Sequence, residues 1–152
     1  MGLDINARRN LELTETLRNK EKKGSLLWVL DRTKTAMGKR LIKTWLVQPL
    51  LSPARITRRL NAVEELFDNP QLLDELTEQL TGIYDLERIM TRIVYGSANG
   101  RELRSLAAAL GRLPGLKAML APCQATLLQQ LRQEMDGLED VAQLIDAAIV
   151  DD

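Results

Sequence analysis

Five times in 152 residues a helix-starting signal stands directly ahead of apolar residues spaced three and four apart, and this punctuation constrains the fold more than any other feature. Ser25 precedes Leu26-Leu27-Trp28-Val29-Leu30, and Thr35 precedes a stripe of Met37, Leu41, Trp45 and Leu46. Ser52 followed by Pro53 opens Ile56, Leu60, Val63 and Phe67, while Asn69-Pro70 opens Leu73, Leu76, Leu80 and Ile83. Asn99, with Glu102 three residues on, precedes Leu103, Leu106 and Leu110. Ser, Thr and Asn side chains accept hydrogen bonds from first-turn N–H groups that have no partner in the helix, and proline at the first helical position gives up an N–H that would lack one anyway. The Asn99/Glu102 spacing is the reciprocal version of the same device. A further stripe of Leu86, Ile89, Met90 and Ile93 follows Gly82 and Asp85 and ends near Gly96. Two last helices are expected over 125–135 and 138–150, joined at Gly137.

The expected fold class is therefore all-α: a multi-helix bundle of packed helical hairpins. Leu, Ile, Ala and Val dominate the apolar content, with only five aromatic residues, and Leu and Ala favour helix over strand. Between the stripes, Pro49 and Pro53 break a linker over 48–53, and Gly111 to Gly115 with Pro114 bends or closes the helix before it. The charged run Arg18 to Ser25 has no apolar stripe and reads as a mobile loop. Ahead of it, Leu3, Ile5, Leu11 and Leu13 alternate with polar residues, which predicts a short N-terminal extended arm. The expected division is an arm and charged loop over residues 1–24 and one helical domain over 25–152. The final stripe (Val141, Leu144, Ile145, Ala148, Ile149) is core-like to the end of the chain and is expected to lie uncovered, as in a piece of a longer polypeptide.

Composition excludes most chemistry. With no histidine, Ser-His and Cys-His nucleophiles and ordinary zinc or haem ligation fall away. Gly38-Lys39-Arg40 is not a phosphate loop, because Thr33 stands where the first glycine belongs and Arg40 where Ser or Thr belongs. Gly38 reads instead as a place where a helix lets another backbone approach. The acid pairs Glu64-Glu65, Asp74-Glu75 and Glu139-Asp140 occupy consecutive helical positions, point in different directions and read as solvated faces. Arg88 with Asp85, and Glu102 with Arg101 or Arg104, read as surface ion pairs. Cys123 has no cysteine partner and reads as a small residue beside a loop. Trp28 and Trp45 share stripes with Leu and Met and read as core or interdomain anchors rather than platforms for bases. No catalytic, cofactor-binding or metal-binding residue is expected. No apolar run is long enough to span a bilayer, and a cytoplasmic location is expected.

The zero net charge hides an asymmetry. Residues 1–60 hold fourteen Lys/Arg against five acids, and residues 61–152 hold seven against sixteen, so the two parts carry +9 and −9. Either the basic part faces nucleic acid or an acidic partner, or the two parts neutralise each other.

One stretch is more specific than its composition. Gly24 to Pro53, followed at once by Arg59-Leu60-Asn61-Ala62-Val63-Glu64-Glu65-Leu66, resembles the core, or lever, domain of the MutS family of DNA mismatch-repair proteins. Three more matches follow the family's order: Arg8-Arg9-Asn10-Leu11-Glu12-Leu13, Tyr84-Asp85-Leu86-Glu87-Arg88 and Ala148-Ile149-Val150-Asp151-Asp152. Ala7 departs from the hydroxyl residue that many members carry. The resemblance implies the first segment of the core, before the clamp insertion. It implies a non-catalytic relay between the DNA-holding end and the ATPase end of a homodimer, with ATP and Mg bound elsewhere in the parent. Mismatched double-stranded DNA and the connector, clamp and ATPase domains are the implied partners, with no membrane. Arg8-Arg9-Asn10 is implied to make buried hydrogen bonds between segments. A free-standing helical adaptor binding a protein through its apolar C-terminal stripe is the alternative, and a small nucleic-acid binder using residues 1–60 is a third reading.

Overall fold

A computed structural model describes residues 2–149, all of whose regular structure is α-helix; Val150-Asp151-Asp152 of the motif above lie outside the described residues. Contacts divide the chain into two compact units, Met1–Thr57 and Arg58–Asp152. The division falls close to the change of charge: residues 1–57 hold twelve Lys/Arg against five acids, and 58–152 hold nine against sixteen.

The first unit contains α1 (Ile5–Asn10), α2 (Leu26–Leu30), α3 (Ala36–Val47) and the first turn of α4 (Pro53–Phe67). The extended arm expected from Leu3, Ile5, Leu11 and Leu13 is instead helical over α1. Asp4 accepts from the Ala7 amide at 2.7 Å, and Arg8 and Arg9 lie in the last turn, where the helix dipole favours cations. Only Leu13 of those four apolar residues is buried, whereas Ile5 and Leu11 are exposed. The following loop is tied rather than loose. Glu12 Oε1 accepts from the Leu17 amide at 2.6 Å, and the amides of Leu26 and Leu27 return to the carbonyls of Glu12 and Leu13. Glu12 and Lys20 adopt positive φ (48° and 52°) to make these turns. Ser25 and Thr35 cap α2 and α3 as expected, accepting from Trp28 and Gly38 amides at 3.2 and 3.0 Å. Ser25 is 0% exposed and also donates to the Lys22 carbonyl. At Gly38 the close neighbours are the Thr33 and Thr35 side chains, 3.2 and 3.1 Å from where a Cβ would stand. The glycine therefore lets its own capping loop close over the helix, rather than admitting a second backbone.

The second unit holds the rest of α4, then α5 (Pro70–Leu80), α6 (Leu86–Val94), α7 (Gly100–Leu110), α8 (Leu113–Met119), α9 (Thr126–Glu134) and α10 (Glu139–Ala148). Asn69 caps α5, Asp85 caps α6, and Asn99 with Glu102 forms the full reciprocal cap on α7. The expected bend at 111–115 is a separate short helix, α8, whose Pro114 sits in the first turn, where its missing N–H is harmless.

Two apolar clusters fill this unit. One gathers Ala62, Leu72, Leu76, Leu116, Leu120, Cys123 and Leu128. The other gathers Ile89, Leu106, Ala107, Leu110 and Ile145, with Val141 and Ile149 packed against it. Leu113 packs against both. The small Ala107 lies buried where α7 meets α10. The C-terminal stripe expected to lie uncovered is thus covered in part: Val141, Ile145 and Ile149 pack in the second cluster, while Leu144 (69%) and Ala148 stay exposed. The α4 stripe departs in the other direction. Leu60, Val63 and Phe67 point away from the clusters, and Ala62 and Leu66 are the α4 residues that pack. On α5 the packed residues are Leu72 and Leu76, with Leu73 exposed.

Candidate functional site

The polar side chains of the second unit work as clasps between helix ends. Glu65, expected on a solvated face, accepts from the backbone amides of Gln124 and Ala125, each at 2.6 Å. Those amides enter α9, which has no side-chain cap of its own, so the carboxylate meets the positive end of that helix. Arg112 Nη1 donates to the carbonyls of Gln79 and Thr81, both at 2.9 Å, closing the C-terminal end of α5, where carbonyls lack helical partners. Lys117 Nζ does the same for the Met135 carbonyl after α9. Ion pairs also join neighbouring helices: Arg92 with Glu102 at 2.7 Å (α6 to α7) and Arg104 with Asp146 at 2.8 Å (α7 to α10). Glu102, expected beside Arg101 or Arg104 on its own helix, thus also pairs with Arg92 across the helix boundary.

The first unit holds such a knot as well. The Asp31 side chain, 7% exposed, receives Lys22 Nζ at 2.6 Å and Thr33 Oγ1 at 2.6 Å. The hydrogen bond from Lys22, reinforced by Thr33, holds the Asp31 carboxyl at about 2, below its ordinary 3.8. Arg8 Nε donates to the Leu3 carbonyl at 2.8 Å, a bond within its own segment, while Arg9 and Asn10 are exposed. Arg8, Arg9 and Lys20 line an open hollow of about 400 Å³ with Thr14, Glu15 and Thr16.

These groups hold backbone or one another in place. Cys123 is 2% exposed; burial, aided by the charge of Glu65, pushes its thiol above the ordinary value and so away from the nucleophilic thiolate. Gln129 donates to the Cys123 carbonyl, which fixes the loop around it. Among the described residues no group of three or more His, Cys, Asp or Glu side chains is placed to hold a metal ion, and no helix is long and apolar enough to cross a membrane. Trp28 and Trp45 are 48% and 40% exposed, so neither belongs to a core among the described residues. Sequence reasoning missed Glu65 and Arg112 because their partners lie 31 to 60 residues away.

Short capped helices fastened at their ends by side chain to backbone bonds define a helical scaffold domain. The model of the MutS domain III family matches residues 6–152, and this chain belongs to that family. Over 152 residues it is 50% identical to the DNA mismatch repair protein MutS of Lachnoclostridium phytofermentans, covering 100% of this chain and 16% of that protein. The MutS of Clostridium perfringens is 46% identical over 152 residues, covering 100% of this chain and 17% of that protein. The MutS of Clostridium botulinum is 48% identical over 151 residues, covering 99% and 16%. The chain thus spans about a sixth of the length of the curated relatives it matches.

Proposed function

We propose that this chain is a lever segment of a MutS-type mismatch-repair protein, passing conformational change between the part that holds mismatched double-stranded DNA and the part that hydrolyses ATP. The chain turns over nothing itself. Its parent binds ATP with Mg, works as a homodimer in the cytoplasm and joins this segment to connector, clamp and ATPase domains. The observation that carries the reading is the set of long-range clasps, above all Glu65 on the entry to α9 and Arg112 on the exit from α5. A relay has to move as connected rigid pieces, because close-packed helices transmit a small displacement only if their ends do not fray. Caps at the starts and clasps across the ends supply that stiffness. The adaptor alternative relied on an uncovered C-terminal stripe, and Val141, Ile145 and Ile149 spend that stripe on packing against α7.

The test uses the full-length parent. E65A and R112A are expected to reduce the stimulation of ATP turnover by mismatched DNA while leaving ATP affinity and DNA affinity, each measured alone, close to wild type. Unchanged stimulation in both variants sinks the relay. A tight complex of the isolated 152-residue chain with DNA, weakening steeply with salt, would favour direct nucleic-acid binding by the basic residues instead.

A further inference from the structure

Helices α4 and α9 run antiparallel, because successive helices around the first apolar cluster alternate in direction. Helix α5 turns back on α4 through Asp68-Asn69, and the exit of α5 meets the entry of α8 at Arg112. Helix α9 then returns along α8, with Gln129 donating to the Leu120 carbonyl and Lys117 to the Met135 carbonyl. At one end of the α4–α9 seam the Glu65 carboxylate holds the Gln124 and Ala125 amides, and Ala62 and Leu128 fill its middle as members of the cluster. Arg58 stands seven residues back along α4 from Glu65, and Arg132 seven residues on along α9 from Ala125. Equal steps of about 10 Å along opposed helices bring the two arginines to the same level of the seam. Each lies four residues from an inward-facing side chain, Ala62 or Leu128, and so shares its face.

Both arginines are part-buried, and the Nε atom of each is closed to solvent with no hydrogen-bond acceptor among the described residues. Other arginines of the unit are spent on partners: Arg92 on Glu102, Arg104 on Asp146 and Arg112 on two carbonyls. No acid lies within four residues of Arg58 in the sequence. Near Arg132, Glu134 accepts from Gln130, and Asp136 accepts from the Leu138 amide. A buried donor without an acceptor is costly, and two guanidinium groups at one level of a helix seam add like charges to that cost. The seam is therefore fastened by a carboxylate at one end and carries two cations with unmet donors at the other.

A phosphate group matches this arrangement in charge and in acceptors. It carries close to two negative charges at neutral pH and several strong acceptor oxygens, enough to receive a fork of N–H groups from each guanidinium. A single carboxylate brings one charge and two oxygens. We propose that Arg58 and Arg132 form a clamp for a free phosphate ion or the phosphate of a small monoester, bound across the α4–α9 seam. The guanidinium heads, carried on long flexible stems, turn from their packed positions to meet the ion. Bound phosphate fastens the end of the seam opposite Glu65, so that α4 and α9 are tied at both ends.

The arginine Nε–H signals of the 152-residue chain, followed by proton–nitrogen correlation NMR at constant ionic strength, test the clamp. Inorganic phosphate is expected to move the Arg58 and Arg132 signals together to a plateau, half-reached at a concentration at least about tenfold below that needed with acetate. Exposed Arg101 serves as control and should drift without a plateau. A drift common to all three signals means screening alone and overturns the proposal. R58M keeps the apolar stem and should weaken the response of Arg132 to phosphate at least about tenfold, as R132M should weaken that of Arg58. An unaltered response of the remaining arginine rules out a shared ion. R58K keeps stem and charge without the fork, and covers the case in which R58M disturbs the seam itself. It should bind phosphate at least about threefold more weakly, and binding equal to wild type counts against a clamp. A short DNA duplex that moves both signals where phosphate does not would assign the pair to nucleic acid instead.

Discussion

The two units solve the problem of order in different ways. The first buries little apolar surface: Leu13 and Leu27 are its buried hydrophobic side chains among the described residues, and a serine, Ser25, is its most enclosed residue. Its shape comes from backbone and capping hydrogen bonds, from positive-φ turns at Glu12, Lys20 and Gly24, and from the Lys22–Asp31–Thr33 knot. The second unit owes its order to two apolar clusters, with polar clasps added at the helix ends. Hydrogen bonds of known length specify geometry but contribute modestly to net stability, whereas burial contributes more and specifies less. A unit fixed mainly by polar bonds is therefore well shaped but easily opened, and one fixed by burial resists opening.

The sharpest way to break this contrast is a cavity in the second unit. L110A, at a position 4% exposed, is expected to cost about 2–5 kcal/mol in chemical denaturation and to release amide protection across α6, α7 and α10. A loss of under about 1 kcal/mol would mean that burial does not dominate there. Next comes the Glu65 clasp. E65A leaves two helix-entry amides without their acceptor and is expected to cost about 1–3 kcal/mol, with faster hydrogen exchange at Gln124 and Ala125 before the rest of the unit. In the first unit, S25A removes a buried cap at an expected cost of about 1–2 kcal/mol, and exchange should quicken at Trp28 and along α2 while α7 is unaffected. Asp31 offers a pH axis. Its folded value lies below its unfolded one, so its stabilisation is present above about pH 4 and fades as pH falls towards 2. The difference in first-unit stability between wild type and D31N should shrink over that range, and a difference that grows on acidification would contradict the assignment. The smallest effect belongs to Arg104 with Asp146, a part-exposed pair whose double-mutant cycle should return less than about 1 kcal/mol and decline with added salt.

What could be read ahead of the structure follows from the range over which each interaction acts. Ser25, Thr35, Asn69 and Asn99 bond amides three residues on, so the caps and the starts of α2, α3, α5 and α7 were legible. The all-α class followed from the stripes between them. Orientation was not legible in the same way. Leu60 and Ala62 are both apolar, and which of them meets a core depends on α5, α8 and α9, far along the chain. Size misled as well, since the largest side chain on α4, Phe67, is exposed while an alanine is buried. Glu65 read as part of a solvated face, and Arg112 drew no reading, because their partners are backbone groups with no side-chain signature. Residues 113–119 hid a short helix behind Pro114 and Gly115, the residue types that usually end one. At the N-terminus, a period of two in four apolar residues was outweighed by a single aspartate at the head of α1.

Leu113 packs against both apolar clusters. Its volume is a common boundary condition: an enlarged neighbour on the Leu116 side cannot be accommodated by shifting Leu113 without opening a gap on the Leu110 side. Divergence of the two interiors is for that reason coupled, and compensating substitutions should cross from one to the other through this leucine.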